Sequence, residues 1–225
     1  MAMTVDTKDC TALNDAELEE MGDICADGAA GYDIGLLSKQ REEWVLITRV
    51  RNEKDVLQGF SFSTLERIGG TPCVLIGLAT VKRTAKRNEA LKALMQEELR
   101  RAVLAFPDED VLIGTRFTDP SGFEAFSAAL KLGDVVPRPG YKPTGEDRAW
   151  GRRLAKRFGV DAEYDEREFV ATGDKAAACC FDHESAKPEK IDKDVAKLFA
   201  PLDRDRCDSL VAFGWAMAED LAPLA

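Results

Sequence analysis

Three groups of residues have the types and spacing to do chemistry. The first is Lys82, Arg83, Lys86 and Arg87, four cations within six residues. Beside a helix N-terminus such charges add to the favourable dipole and suit a phosphorylated ligand. The second is Arg148, Arg152, Arg153, Lys156 and Arg157, where Trp150, Leu154 and Phe158 at four-residue spacing make an apolar helical stripe. Both clusters also read as solvated faces. The third is Cys179-Cys180-x-x-His183, which holds the only histidine. Adjacent cysteines converge poorly on one zinc ion, so no metal is expected. A Cys/His nucleophile pair has no supporting motif here, and the group reads as a strand end and loop.

The rest of the chain limits what these groups can serve. Its 225 residues, 45% of them hydrophobic, suffice for one core, or one core plus a small appended piece. The formal charge is −10, yet residues 82–157 carry +5 and the remainder −15. An acidic chain disfavours nucleic acid as a partner. No apolar run is long enough to span a membrane, so no membrane partner is expected. The polar N-terminus lacks a basic region before an apolar stretch, and the six cysteines read as reduced thiols, so a cytoplasmic protein is expected.

Periodicity supplies the elements. Asn14 followed by Glu17 makes a capping box that starts a helix ending at Gly28 and Gly31. A short helix over Tyr32–Lys39 follows. Trp44–Arg51, Val56–Arg67 and Cys73–Val81 read as three consecutive antiparallel strands, with Gly69-Gly70 as the second turn. The third is apolar on both faces and belongs in the middle of a sheet. Leu91, Leu94, Met95, Leu99, Ala102, Val103 and Phe106 then recur at helical spacing up to Pro107. Asp110–Phe117 is another buried strand, so the long helix is a parallel crossover. A helix from Asp119 or Ser121 to Leu130 and a short strand at Val135-Val136 complete this part. Gly140–Gly145 reads as a linker. Beyond it come the basic helix, a possible strand near Glu168–Thr172 and two helices, the last over about Arg206–Leu221.

This order is that of the GNAT superfamily of N-acetyltransferases, and the local sequence is similar too. Val81 through Met95 resembles the family's coenzyme-A signature, an apolar strand leading into an R-G-x-G loop and a helix. Ala125 through Leu132-Gly133 is similar to its A-x-x-x-Y-x-x-L-G-F helix. The resemblance covers roughly residues 10–140. It implies an α/β fold: a mixed sheet with an antiparallel meander, one parallel βαβ crossover and helices on both faces. Residues 1–140 form the GNAT-like domain. Residues 141–225 form a mainly helical region packed on that core or on a second subunit, so a homo-oligomer is admitted.

The resemblance also implies acetyl-CoA or another acyl-CoA as co-substrate, held by Val81, Arg83, Lys86, Arg87 and Asn88, with no metal. The acceptor is a small-molecule amine or a protein amine. In the family the two parallel strands splay apart to form the slot where the acyl chain enters, so a cleft is expected there. The motif glycines fall at Arg87 and Glu89, and the tyrosine that protonates the departing thiolate falls at Ala129. Glu66 as base and Tyr141 as proton donor are the remaining catalytic candidates, with plainer readings as a strand-end charge and a linker side chain. Two functions follow as expectations: an acyl-CoA-dependent N-acyltransferase, or a catalytically inactive GNAT-like ligand-binding or protein-interaction domain.

Overall fold

A computed structural model of the chain describes residues 3–28, 31–130, 134–185 and 187–224. In chain order the elements are β1 (Thr4–Asp9), α1 (Asp15–Ala26), α2 (Ile34–Glu43), β2 (Leu46–Arg51), β3 (Leu57–Ile68), β4 (Thr71–Val81), α3 (Arg87–Ala105) and β5 (Val111–Phe117). They continue with α4 (Pro120–Leu130), α5 (Gly145–Arg157), β6 (Tyr164–Asp165), β7 (Val170–Ala171), β8 (Phe181–Asp182), α6 (Lys193–Leu198), β9 (Ser209–Ala216) and α7 (Ala218–Leu221). The strands form one sheet in the order β1-β2-β3-β4-β5-β9-β7-β6, with β8 paired to β4 outside that path.

Local signals explain most of these elements. The Asn14 side chain accepts from the Glu17 amide, and the Glu17 carboxylate accepts from the Asn14 amide, each at 2.9 Å. Asp33 caps α2 through the Leu36 amide. Gly69 and Gly70 take the positive φ of 60° and 92° that closes the β3–β4 hairpin, a conformation costly for other residues. One face of the sheet buries Ile47, Phe60, Phe62 and Leu78 with Leu18, Met21 and Leu37 of α1 and α2. The other core gathers Leu91, Leu94 and Met95 of α3 with residues of β4 and β5. Each such large side chain contributes about 1.5–3 kcal/mol by leaving water.

The meander and the crossover stand as the resemblance implies. β2, β3 and β4 pair antiparallel, and β4 pairs parallel with β5 through Cys73–Leu112, Val74–Ile113 and Leu75–Gly114. This is a mixed α/β sheet with helices on both faces.

The C-terminal region departs from expectation. The helix expected over Arg206–Leu221 is the strand β9, antiparallel to β5 from Val111–Ala216 to Phe117–Leu210. Leu210, Val211, Ala212 and Phe213 are buried in succession. An apolar set too wide for one helical face is here the two buried faces of a strand. The region expected to be mainly helical thus supplies β6–β9, four strands of the same sheet. Val135-Val136 contributes only an isolated bridge, from Val136 to Phe213. The polar N-terminus, to which the sequence pattern assigns no element, supplies the edge strand β1. Leu132 and Gly133 of the expected family motif lie outside the described residues.

Candidate functional site

Pairing between β4 and β5 ends at Leu75 and Gly114, where the strands part. The cleft expected beyond that point is filled by the chain itself. β8 lies parallel to β4, with Phe181 level with Ala79 and Asp182 level with Thr80. The Ala79 amide donates to the Cys180 carbonyl at 3.3 Å. Phe181, 2% exposed, packs against Phe117 of β5 and Phe126 of α4, each ring 5.6 Å away. A Cβ on Gly122 would fall 2.8 Å from the Phe181 carbonyl oxygen, so the first turn of α4 carries a glycine where the strand passes. Upstream, the Tyr32 hydroxyl donates to the Ala178 carbonyl at 2.8 Å, and Arg116 to that of Cys179 at 3.0 Å.

The same segment engages the expected coenzyme-binding residues. Val81 ends β4, fully buried. Arg83 donates to the Asp182 carboxylate at 2.7 Å and to the Thr80 hydroxyl at 2.8 Å, with Glu184 at 3.5 Å. Asn88 bonds His183 Nε2 at 3.1 Å. Burial, then the charges of Arg87 and Arg83, bring His183 down to about 4, so its ring is neutral at physiological pH. Lys86 is the residue before α3, and Arg87 donates to the Thr84 carbonyl at 3.1 Å. The turn also bonds its own amides. Arg87 N donates to Thr84 O, and the Glu89 and Ala90 amides donate to Lys86 O.

An acyl-CoA in this position needs a free edge on β4 and unengaged amides at the start of α3. β8 takes the first, and the Thr84 and Lys86 carbonyls take the Arg87 and Glu89 amides. Asp182 and Glu184 also place negative charge on Arg83. The residues present do not fit that group.

Glu66 and Tyr141 are each engaged by other partners. Glu66 pairs across the sheet with Cys73, at the end where β4 and β5 are still joined, and accepts from Arg157 Nε at 2.5 Å. Tyr141 donates to Asp147 at 2.9 Å, within the capping box that starts α5, and lies under Arg138 at 4.2 Å. The second basic cluster is likewise tied to its surroundings. Arg152 pairs with Glu166, Arg153 lies 4.6 Å from the Trp150 ring, and Arg148 donates to the Pro143 carbonyl. The group Cys179-Cys180-x-x-His183 brackets the strand that matters, and Phe181 between them is the residue that sequence reading left unused.

Openings flank the filled slot, among them a cavity of about 280 Å³ lined by Tyr32, Arg83, Asp182 and His183. A groove of about 720 Å³ runs between Asn88 and Lys92 of α3, Ala125 and Ala129 of α4, and Lys187 and Lys190. A cavity of about 340 Å³ lies between α2, the end of α5 and the segment after β7, with Arg116 in its wall. Among the described residues no three His, Cys, Asp or Glu side chains converge to hold a metal ion, and no helix is long and apolar enough to cross a membrane.

No protein-family model and no curated protein matches the chain. Solved structures do resemble it. The ribosomal-protein-S18-alanine N-acetyltransferase from Escherichia coli aligns at 11% identity and a TM-score of 0.43, over 64% of this chain and 86% of that one. An aminoglycoside antibiotic 6'-N-acetyltransferase from Acinetobacter baumannii aligns at 14% identity and 0.44, over 64% and 99%. A tandem GNAT protein from clavulanic acid biosynthesis aligns at 18% identity and 0.46, over 61% of this chain and 46% of that one. The likeness is one of fold.

Proposed function

We propose that this chain is a GNAT-like domain that binds a ligand without transferring an acyl group. The observation that carries this reading is β8, laid against β4 where the two parallel strands part. Phe181 belongs to the core rather than to a lid, with Phe117 and Phe126 against it. Amine acylation also needs a base near the thioester and a proton for the departing thiolate. Glu66 and Tyr141 are bonded to Arg157 and Asp147 instead.

A second reading, an acyl-CoA-dependent N-acyltransferase, is favoured by one observation. Lys86 and Arg87 do stand at the N-terminus of α3, where cations assist a phosphate. In that reading acetyl-CoA or another acyl-CoA enters once β8 withdraws, and the acceptor is a small-molecule or protein amine.

Calorimetric titration with acetyl-CoA, run beside an assay of labelled acetyl transfer to polyamines and lysine peptides, separates the two. The expected result is no saturable heat and no transferred label. Saturable heat with label transfer establishes the acyltransferase, and loss of that heat in Lys86→Ala/Arg87→Ala would put the phosphates at the α3 turn.

A further inference from the structure

Arg49, Arg51 and Arg83 are partly buried arginines with a carboxylate at hand: Asp6, Glu20 and Asp182 respectively. Arg116 is partly buried too, on β5, and differs. Among the described residues no carboxylate pairs with it. Its Nη2 donates to the Cys179 carbonyl at 3.0 Å, and its Nη1 reaches the Ser209 hydroxyl at 3.4 Å. The guanidinium carbon lies 5.7 Å from the Phe158 ring, and Nε is buried without an acceptor. A guanidinium presents five N–H donors and these two bonds engage only two of them, so donors remain without an acceptor and no carboxylate among the described residues is in contact with the group. A charge held this way calls for an anion.

The wall that Arg116 helps form belongs to the 340 Å³ cavity. Leu36, Phe158, Val160 and Ala177 give that cavity an apolar lining. Glu43, Glu163, Asp174 and Lys39 also line it, for a net charge of about −2 apart from Arg116. Those acids repel a dianion such as phosphate, while one carboxylate can be neutralised by Arg116 alone.

We infer that this cavity is a binding site for a monocarboxylate with a small apolar body, its carboxylate on Arg116 and its body against Phe158 and Ala177. The inference rests on the binding-domain reading above and names its ligand class.

The test is calorimetry on the full chain with acetate, butyrate and benzoate. Inorganic phosphate, butanol and benzyl alcohol are the comparisons. At least one carboxylate should bind saturably and more tightly than the alcohol of the same body or phosphate. Arg116→Gln should weaken it about tenfold or more, the effect of losing a charge-assisted bond. Because Arg116 also holds the Cys179 carbonyl, Ala177→Phe serves as a second variant: it fills the cavity, keeps Arg116, and should abolish binding. No carboxylate binding, equal binding of the alcohol, tighter binding of phosphate, or unchanged affinity in either folded variant would overturn the inference. Labelled acetyl transfer by the same preparation would instead sink the binding-domain reading and leave the carboxylate result standing.

Discussion

Phe181 occupies a place prepared for it: a neighbouring glycine at Gly122, two aromatic rings at 5.6 Å, a hydrogen-bonded Cys180 carbonyl before it and an Asp182 carboxylate held by Thr80 and Arg83 after it. Phe181→Ala should therefore cost about 3–5 kcal/mol, the range for a fully buried phenylalanine, read by urea denaturation. A surface strap would lose no more than about 0.5 kcal/mol, and that result would return β8 to the status of a lid. At this scale the sequence told half of the story. The spacing of Lys82, Arg83, Lys86 and Arg87 places them at a strand end and a helix start, and they stand there. What Arg83 faces was hidden, because its partner Asp182 lies 99 residues away and no local pattern links the two. Glu66 and Tyr141 have suitable chemistry but stand away from the positions that the family pattern expects. Their actual partners, Arg157 and Asp147, show a strand-end ion pair and a helix cap.

Elements with a single clear period were legible, and those with two buried faces were not. The capping box at Asn14, the long stripe of α3 and the alternating Phe60 and Phe62 of β3 each follow from one repeat. Strand β9 has no such repeat, since it is flanked by β5 on one side and β7 on the other and is buried on both faces. A continuous apolar run fits a buried strand and a buried helix equally well, and length alone did not decide. Two-residue strands such as β7 and β8 carry too few side chains to show any period. The placement of β9 has a consequence. A chain ending at residue 205 would expose the edge of β5 along seven paired positions, from Val111 to Phe117. It should be recovered aggregated or without cooperative unfolding, since an open apolar edge invites pairing with other chains. A soluble monomer of that length with a cooperative melt would show that residues 1–205 close their core without β9.

At the scale of the molecule, two buried groups among the described residues, with opposite tendencies, shape how stability follows pH between 4.5 and 6.5. Glu98 of α3 is 1% exposed and faces the hydroxyls of Ser63, Ser61 and Thr48, and burial pushes its carboxyl up to about 7. His183 is 5% exposed, and burial with Arg87 and Arg83 holds it at about 4. Between pH 4.5 and 6.5 the folded chain keeps the Glu98 proton that the unfolded chain has released, so this group makes stability fall as pH rises. Over the same interval the unfolded chain holds a proton on His183 that the folded chain excludes, so this group makes stability rise with pH. Each contributes a slope of up to about 1.4 kcal/mol per pH unit, with opposite signs, and the intact protein should be nearly flat across the window. The ion-paired or capping carboxylates add a smaller rise with pH at the acid end of the window. Glu17, held near 2 despite the opposing effect of burial by Lys8, Asn14 and Arg49, and the likewise lowered Glu20, Asp147 and Asp208, release most of their stability in more acid solution. Single substitutions should therefore uncover the hidden slopes. Glu98→Gln should give a protein whose stability climbs with pH by about 2 kcal/mol from pH 4.5 to 6.5, and His183→Gln one whose stability declines by a similar amount. Urea midpoints at five pH values for the three proteins provide the measurement. Parallel pH profiles among them would mean that neither group titrates differently in the folded chain, and that the polar pocket under α3 and the imidazole beside β8 are not buried as described.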